Sequence, residues 1–103
     1  MRVKLEIWMA LGRELGEDFH IPSELRSELD AEVKEGTTVK DFFGQMAVRY
    51  RPIGERVFNE QDGELYSNVV VTFNDRVIPR HDLYERILKD GDKITVLQVH
   101  TGG

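Results

Sequence analysis

One stretch of this chain repeats at the period of an α-helix, and the segments on either side of it do not. In "TTVKDFFGQMAVRYRP" the residues Val39, Phe42, Phe43, Met46, Ala47 and Tyr50 fall at offsets 0, 3, 4, 7, 8 and 11. That spacing gathers them on one helix face. Thr38 stands where a hydroxyl can accept from the first free backbone N–H groups. Asp41 makes a weak capping box with it and favours the positive helix end. Pro52 and Gly54 are expected to stop the helix near Arg51. Elsewhere the period is two. In "RVKLEIWMA", residues 2–10, Val3, Leu5, Ile7 and Met9 share one face, and Lys4, Glu6 and Trp8 take the other. Leu29, Ala31 and Val33 alternate again, "SNVVVTFND" is rich in β-branched residues, and "KITVLQV" is the last strand. One apolar helix face calls for one apolar sheet face. The expected fold is α+β, with a mixed sheet of four to five strands packed on one main helix.

Turn chemistry supplies the connections. Residues 11–26, interrupted by Gly12, Gly16 and Pro22, read as a long loop with a helical turn after Pro22. Asp62-Gly63 centres a short hairpin in "ERVFNEQDGELY". "DRVIP" turns into a short edge segment where Pro79 is tolerated. "HDLYERIL" reads as a helical turn, and Gly91 permits the tight turn of "KDGDK". The 103 residues suffice for one domain, placed at residues 1–99, with a flexible tail at 100–103. The expected core is Val3, Leu5, Ile7, Val33, Phe42, Phe43, Met46, Tyr50, Val69, Val71, Phe73, Leu88, Ile94 and Val96.

Composition removes several classes of function. With no cysteine there is no disulfide, thiolate metal site or cysteine nucleophile. Net charge is −5, with Arg and Lys scattered among carboxylates. Phosphate binding needs clustered cations, so nucleic acid is not expected as a partner. A basic protein surface suits this charge, as does simple solubility. The apolar stretch "IWMAL" is too short for a membrane span or signal peptide, which points to the cytoplasm and away from membranes. His20, His81 and His100 have no metal-ligand spacing, and Glu14 and Asp18 read as solvated loop charge. No phosphate loop, triad motif or H-E-x-x-H is present. The chain is expected to bind no metal or cofactor itself and to act without catalytic groups of its own.

Alternation also defines a second face. If Val69, Val71, Phe73, Ile94 and Val96 point inward, then Trp8, Val70, Thr72, Leu97 and Val99 lie on the sheet face away from the helix. A partly apolar outer face is a candidate docking surface for a partner. The competing expectation is that the loop around residues 52–66 covers Trp8.

The chain ends "ITVLQVHTGG". Taken with the element order, this ending resembles the ubiquitin-like β-grasp sulfur carriers. That group includes the small subunit of molybdopterin synthase, the thiamine-pathway carrier ThiS and the ubiquitin-related modifiers. The resemblance covers the whole chain. It rests on "GTTVKDFF" opening the helix, "VVVTFNDRVI", "LKDGDKITVL" and the terminal "GG". The loop from Leu11 to Arg26 is longer than usual for the group, and "LQVHT" stands where molybdopterin-type carriers often have prolines.

The resemblance implies that the Gly103 carboxylate reacts and that Gly102 lets it enter a narrow channel. A carboxylate with a pKa near 3.5 is ionised at neutral pH. It can attack the α-phosphate of ATP and become an acyl-adenylate, which then accepts sulfur as a thiocarboxylate. The implied partner is an adenylating enzyme related to the ubiquitin-activating enzymes, which supplies ATP and Mg²⁺. A large synthase subunit or another sulfur-acceptor enzyme follows it. Residues 100–103, extended at ~3.3 Å each, reach roughly 13 Å, so His100 and Thr101 would contact the partner. Two other readings stay open: a modifier joined to lysines through Gly103, and a plain interaction module.

Overall fold

The first strand, β1 (Arg2–Trp8), lies near the middle of a six-stranded sheet in the computed structural model. The structure describes residues 1–99, without the side chains of residues 12 and 13. The tail residues His100, Thr101, Gly102 and Gly103 lie outside the described residues. After β1 come β2 (His20–Ser23), β3 (Arg26–Glu32), helices α1 (Val39–Arg49) and α2 (Arg51–Arg56), and the small hairpin β4 (Phe58–Asn59) and β5 (Glu64–Leu65). Then follow β6 (Val69–Phe73), β7 (Arg76–Val77), α3 (Arg80–Glu85) and β8 (Lys93–Gln98).

The large sheet runs β2-β3-β1-β8-β6-β7. β1 pairs antiparallel with β3 and parallel with β8, and β8 pairs antiparallel with β6. The register lines up Leu29, Leu5, Ile94 and Phe73 in one row across four strands. Ile7, Val96 and Val71 form the next. These rows are buried under α1, which presents Val39, Phe42, Phe43, Met46 and Ala47. Phe43 stacks on Phe58 at 5.9 Å between ring centroids and meets Phe42 edge-on at 6.0 Å. All fourteen residues expected in the core are buried. The Thr38 side chain accepts from the backbone N–H of Asp41 at 3.1 Å, which caps α1 as its sequence anticipates.

Two expectations are corrected and two are refined. The large sheet has six strands where four to five were expected, and β4–β5 adds a separate two-stranded piece. Residues 20–23 form an edge strand, although Pro22 reads as the start of a helical turn. At a sheet edge the missing proline N–H faces away from the ladder and forfeits no bond. α1 ends at Arg49, near the stop expected at Arg51, but a second helix follows directly and takes in Pro52. Pro52 sits in the first turn of α2, where no intrahelical donor is needed and its fixed φ fits. The chain bends at Tyr50, whose backbone is extended, with φ −122° and ψ 105°. The helical turn expected in "HDLYERIL" is part of a six-residue helix, α3, which begins at Arg80 and ends at Glu85. Between β6 and β7, Asn74 and Asp75 take positive φ of 50° and 66°, the pattern of a tight two-residue hairpin turn.

The long loop after β1 is anchored. A 3₁₀ turn at Gly12–Leu15 and the residues beyond it bury Leu11, Leu15 and Phe19. Phe19 packs edge-on against Tyr50 at 4.9 Å, and the Tyr50 hydroxyl donates to Asp18 at 2.9 Å.

Candidate functional site

Two features of the sheet bear on function: its outer face and the place where the chain leaves it. β8 sits between β1 and β6, so the described residues end at Val99 in the middle of the sheet. The last pairing there is the backbone N–H of Val99 donating to the Asn68 carbonyl at 2.8 Å.

On the outer face, Trp8 pairs with Leu97 and Leu97 pairs with Val70, giving one apolar row across β1, β8 and β6. Trp8 is 43% exposed and Val99 45%, while Leu97 and Val70 are half-buried. Thr72 joins this face opposite Thr95. The structure thus brings together Trp8, Val70, Leu97 and Val99, as alternation predicts. Residues 52–66 do not cover Trp8. They form α2 and the β4–β5 hairpin, which pack on the helix side through Phe58 on Phe43.

Sequence reasoning missed Val77. It is 76% exposed and pairs with Thr72, which extends the apolar area to the sheet edge. It also missed the charged cluster beside Trp8. Glu6 is only 7% exposed although its strand position faces outward. It accepts from Arg26 at 3.1 Å and from the Trp8 indole N–H at 3.4 Å, and Lys4 lies 3.5 Å away. Arg26 also pairs with Glu28, and its guanidinium sits 4.8 Å above the Trp8 ring. Burial pushes the Glu6 carboxyl up, but the Trp8 hydrogen bond and the charges of Arg26, Lys93 and Lys4 outweigh it. The net position is below the usual carboxylate range. Lys93 is held by Asp75 at 2.8 Å. The face is therefore an apolar band bordered on the β3 side by mutually neutralised charges.

The remaining candidates stay apart from it. His81 lies beside Asp82 at 3.1 Å on exposed α3, and His20 is exposed at the opposite edge. Glu14 is exposed, and Asp18 is engaged with Tyr50 and Arg49. Among the described residues no three His, Asp or Glu side chains group as a metal site. No helix of the described residues is long and apolar enough to cross a membrane.

The sequence matches the ThiS family over residues 19–103. No curated protein matches it. Among solved structures, it is similar to SAMP1 from Haloferax volcanii, with TM-score 0.71 and 19% identity over 100% of both chains. It is similar to a Pyrococcus furiosus protein described as molybdopterin converting factor, subunit 1, with TM-score 0.65, 24% identity and 96% and 98% coverage. A chain of the Amycolatopsis orientalis BexX/CysO complex gives TM-score 0.59 and 24% identity, over 96% of this chain and 99% of that one. At these identities the likenesses establish the ubiquitin-like β-grasp fold.

Proposed function

The chain belongs to the ThiS family of small ubiquitin-like sulfur carriers, and from that premise we propose that the Gly103 carboxylate is the group that is activated and bears the sulfur. The observation that supports this most directly is the extent of the family match, which runs through Gly102 and Gly103. The carboxylate of Gly103 attacks the α-phosphate of ATP, pyrophosphate leaves, and an acyl-adenylate forms. Hydrosulfide then attacks the acyl carbon, AMP leaves, and the thiocarboxylate remains. A ubiquitin-activating-like enzyme supplies the ATP, the Mg²⁺ and the catalytic groups, so the chain acts as a co-substrate. Glycine at 102 and 103 suits a narrow channel because it has no Cβ and turns freely.

The apolar row of Trp8, Leu97 and Val70, with Val99 beside it, is the proposed docking face for that enzyme. Its position supports this reading, since it flanks the end of β8 from which the tail departs. His100 and Thr101 then pass the channel mouth. We take the sulfur recipient to be a molybdopterin precursor, handled by a large synthase subunit in the cytoplasm. The fold likeness to a protein described as a molybdopterin converting factor subunit is in keeping with that recipient. The likeness to SAMP1, a small archaeal modifier protein, favours a second reading with the same first step. There a lysine amine, not sulfur, takes the acyl group.

Pyrophosphate exchange with the adenylating enzyme of the source organism tests the reaction. Deleting Gly103, or Gly102→Val, should abolish exchange while circular dichroism stays unchanged. A deletion variant activated as well as the wild type would leave only an interaction module. Trp8→Ala and Leu97→Ala should weaken the complex, since apolar anchors dominate many interfaces. Intact mass of the protein from its own host separates the two acceptors: a sulfur-for-oxygen exchange marks the carrier, and a cross-linked adduct marks the modifier.

A further inference from the structure

Trp8 is the largest apolar group on the outer face, and its ring is not free. Two contacts hold it, and the second is itself anchored twice. The indole N–H reaches Glu6 at 3.4 Å, the Arg26 guanidinium lies 4.8 Å over the ring, and Arg26 is itself tied to Glu6 at 3.1 Å and to Glu28. The cluster closes on itself. The carboxylate that holds the indole edge also holds the cation that covers the indole face.

The geometry of Arg26 shows which contact governs it. A guanidinium at an open surface gives all its N–H groups to water or to carboxylates. Here the Nε of Arg26 is buried and finds no hydrogen-bond partner among the described residues. Ion pairing alone gives no reason to withdraw that donor from water. Approach to the indole does, because a guanidinium 4.8 Å from the ring centroid has the ring face where water would otherwise stand.

We infer that Arg26 is a positioning residue for docking, which holds the Trp8 ring in one orientation so that the face meets its partner without first ordering its main anchor. This rests on the reading of the outer face given above. An immobilised aromatic side chain has little rotamer freedom left to lose on association, so pre-ordering appears as affinity. The partner surface it fits is an apolar one that seats the Trp8 ring.

The free protein carries the first half of the test. Trp8 is the chain's one tryptophan, so fluorescence reports this ring alone. Arg26→Gln keeps a donor for Glu6 but removes the cation. It should lower the steady-state anisotropy of Trp8 and red-shift its emission, with circular dichroism unchanged. Pyrophosphate exchange with the purified adenylating enzyme of the source organism carries the second half. Arg26→Gln should raise KM about fivefold, leave kcat as it is, and add nothing to the loss already caused by Trp8→Ala. Arg26→Lys retains the charge beside Glu6 and Glu28 without the flat guanidinium, so it should not restore KM. Unchanged anisotropy in Arg26→Gln overturns the inference with no partner involved. A wild-type KM in Arg26→Lys also overturns it and reduces Arg26 to a surface ion pair. If Trp8→Ala and Leu97→Ala themselves keep the wild-type KM, the docking reading fails, and the role of Arg26 in recognition fails with it.

Discussion

Glu6 shows how much a single residue owes to neighbours that its own strand does not reveal. Alternation assigns it correctly to the outer face, where water should reach it. Lys4, Arg26 and Trp8 close over it instead, and 7% exposure remains. Its carboxyl is driven up by burial and down, by more, through the Trp8 hydrogen bond and the surrounding cations. The folded-state value thus lies below the unfolded one. The stability this contributes is fully present above the ordinary carboxyl range and is lost as pH falls through the folded value. Urea unfolding at stepped pH should show stability declining below about pH 4.3, and the decline should be shallower in Glu6→Gln. Equal slopes in the two proteins would assign the acid loss to other carboxylates. Neither Arg26 nor Glu28 is legible as part of this cluster in the sequence. They reach Glu6 only through the register of β1 against β3, and that register depends on how a long loop folds. Trp8, Val70, Leu97 and Val99 are legible because a strand's period of two sorts its side chains whatever the register.

At the scale of elements, α1 was readable and α2 was not, for a physical reason. The apolar stripe of α1 spans the whole helix, whereas α2 has six residues and announces itself with a proline. Proline ends a helix when it falls inside one and begins one when it falls in the first turn. The residue type alone does not choose between them. β2 was hidden in the same way, since all four of its residues are exposed and no alternation marks it. What holds α2 to α1 is close backbone approach. A Cβ added at Gly54 would come within 2.9 Å of the Ala47 carbonyl oxygen, and the Gly54 carbonyl accepts from the Tyr66 hydroxyl at 2.8 Å. Gly54→Ala should therefore cost about 1–3 kcal/mol as the two helices are pushed apart. Chemical denaturation measures this directly, and a loss under about 0.5 kcal/mol, the range of ordinary surface substitutions, would show that the α1–α2 junction yields freely. Phe58 of β4 stacks on Phe43 of α1, so Phe43→Ala, which empties the space between Phe42 and Phe58, should cost about 3–5 kcal/mol.

In the whole molecule, the first and last strands are neighbours at the centre of the sheet. The sheet stays split until β8 arrives, because β6 and β7 reach β1 only through it. A chain cut after Asp92 should lack cooperative thermal unfolding, while one cut after Val99 should keep the wild-type Tm. A folded fragment of residues 1–92 would show that β8 is an addition to the sheet and not its keystone. The parallel pairing of β1 and β8 also gives the domain a mechanical grain. β8 is laced at five positions to β1 and at five to β6, whereas β7 is held at two. A force drawn along β8 from Val99 loads both of its ladders in shear, so many hydrogen bonds must fail together. A force on β7 unzips its bonds one after another. The domain is toughest along the line on which a partner would tug at its carboxyl-terminal end.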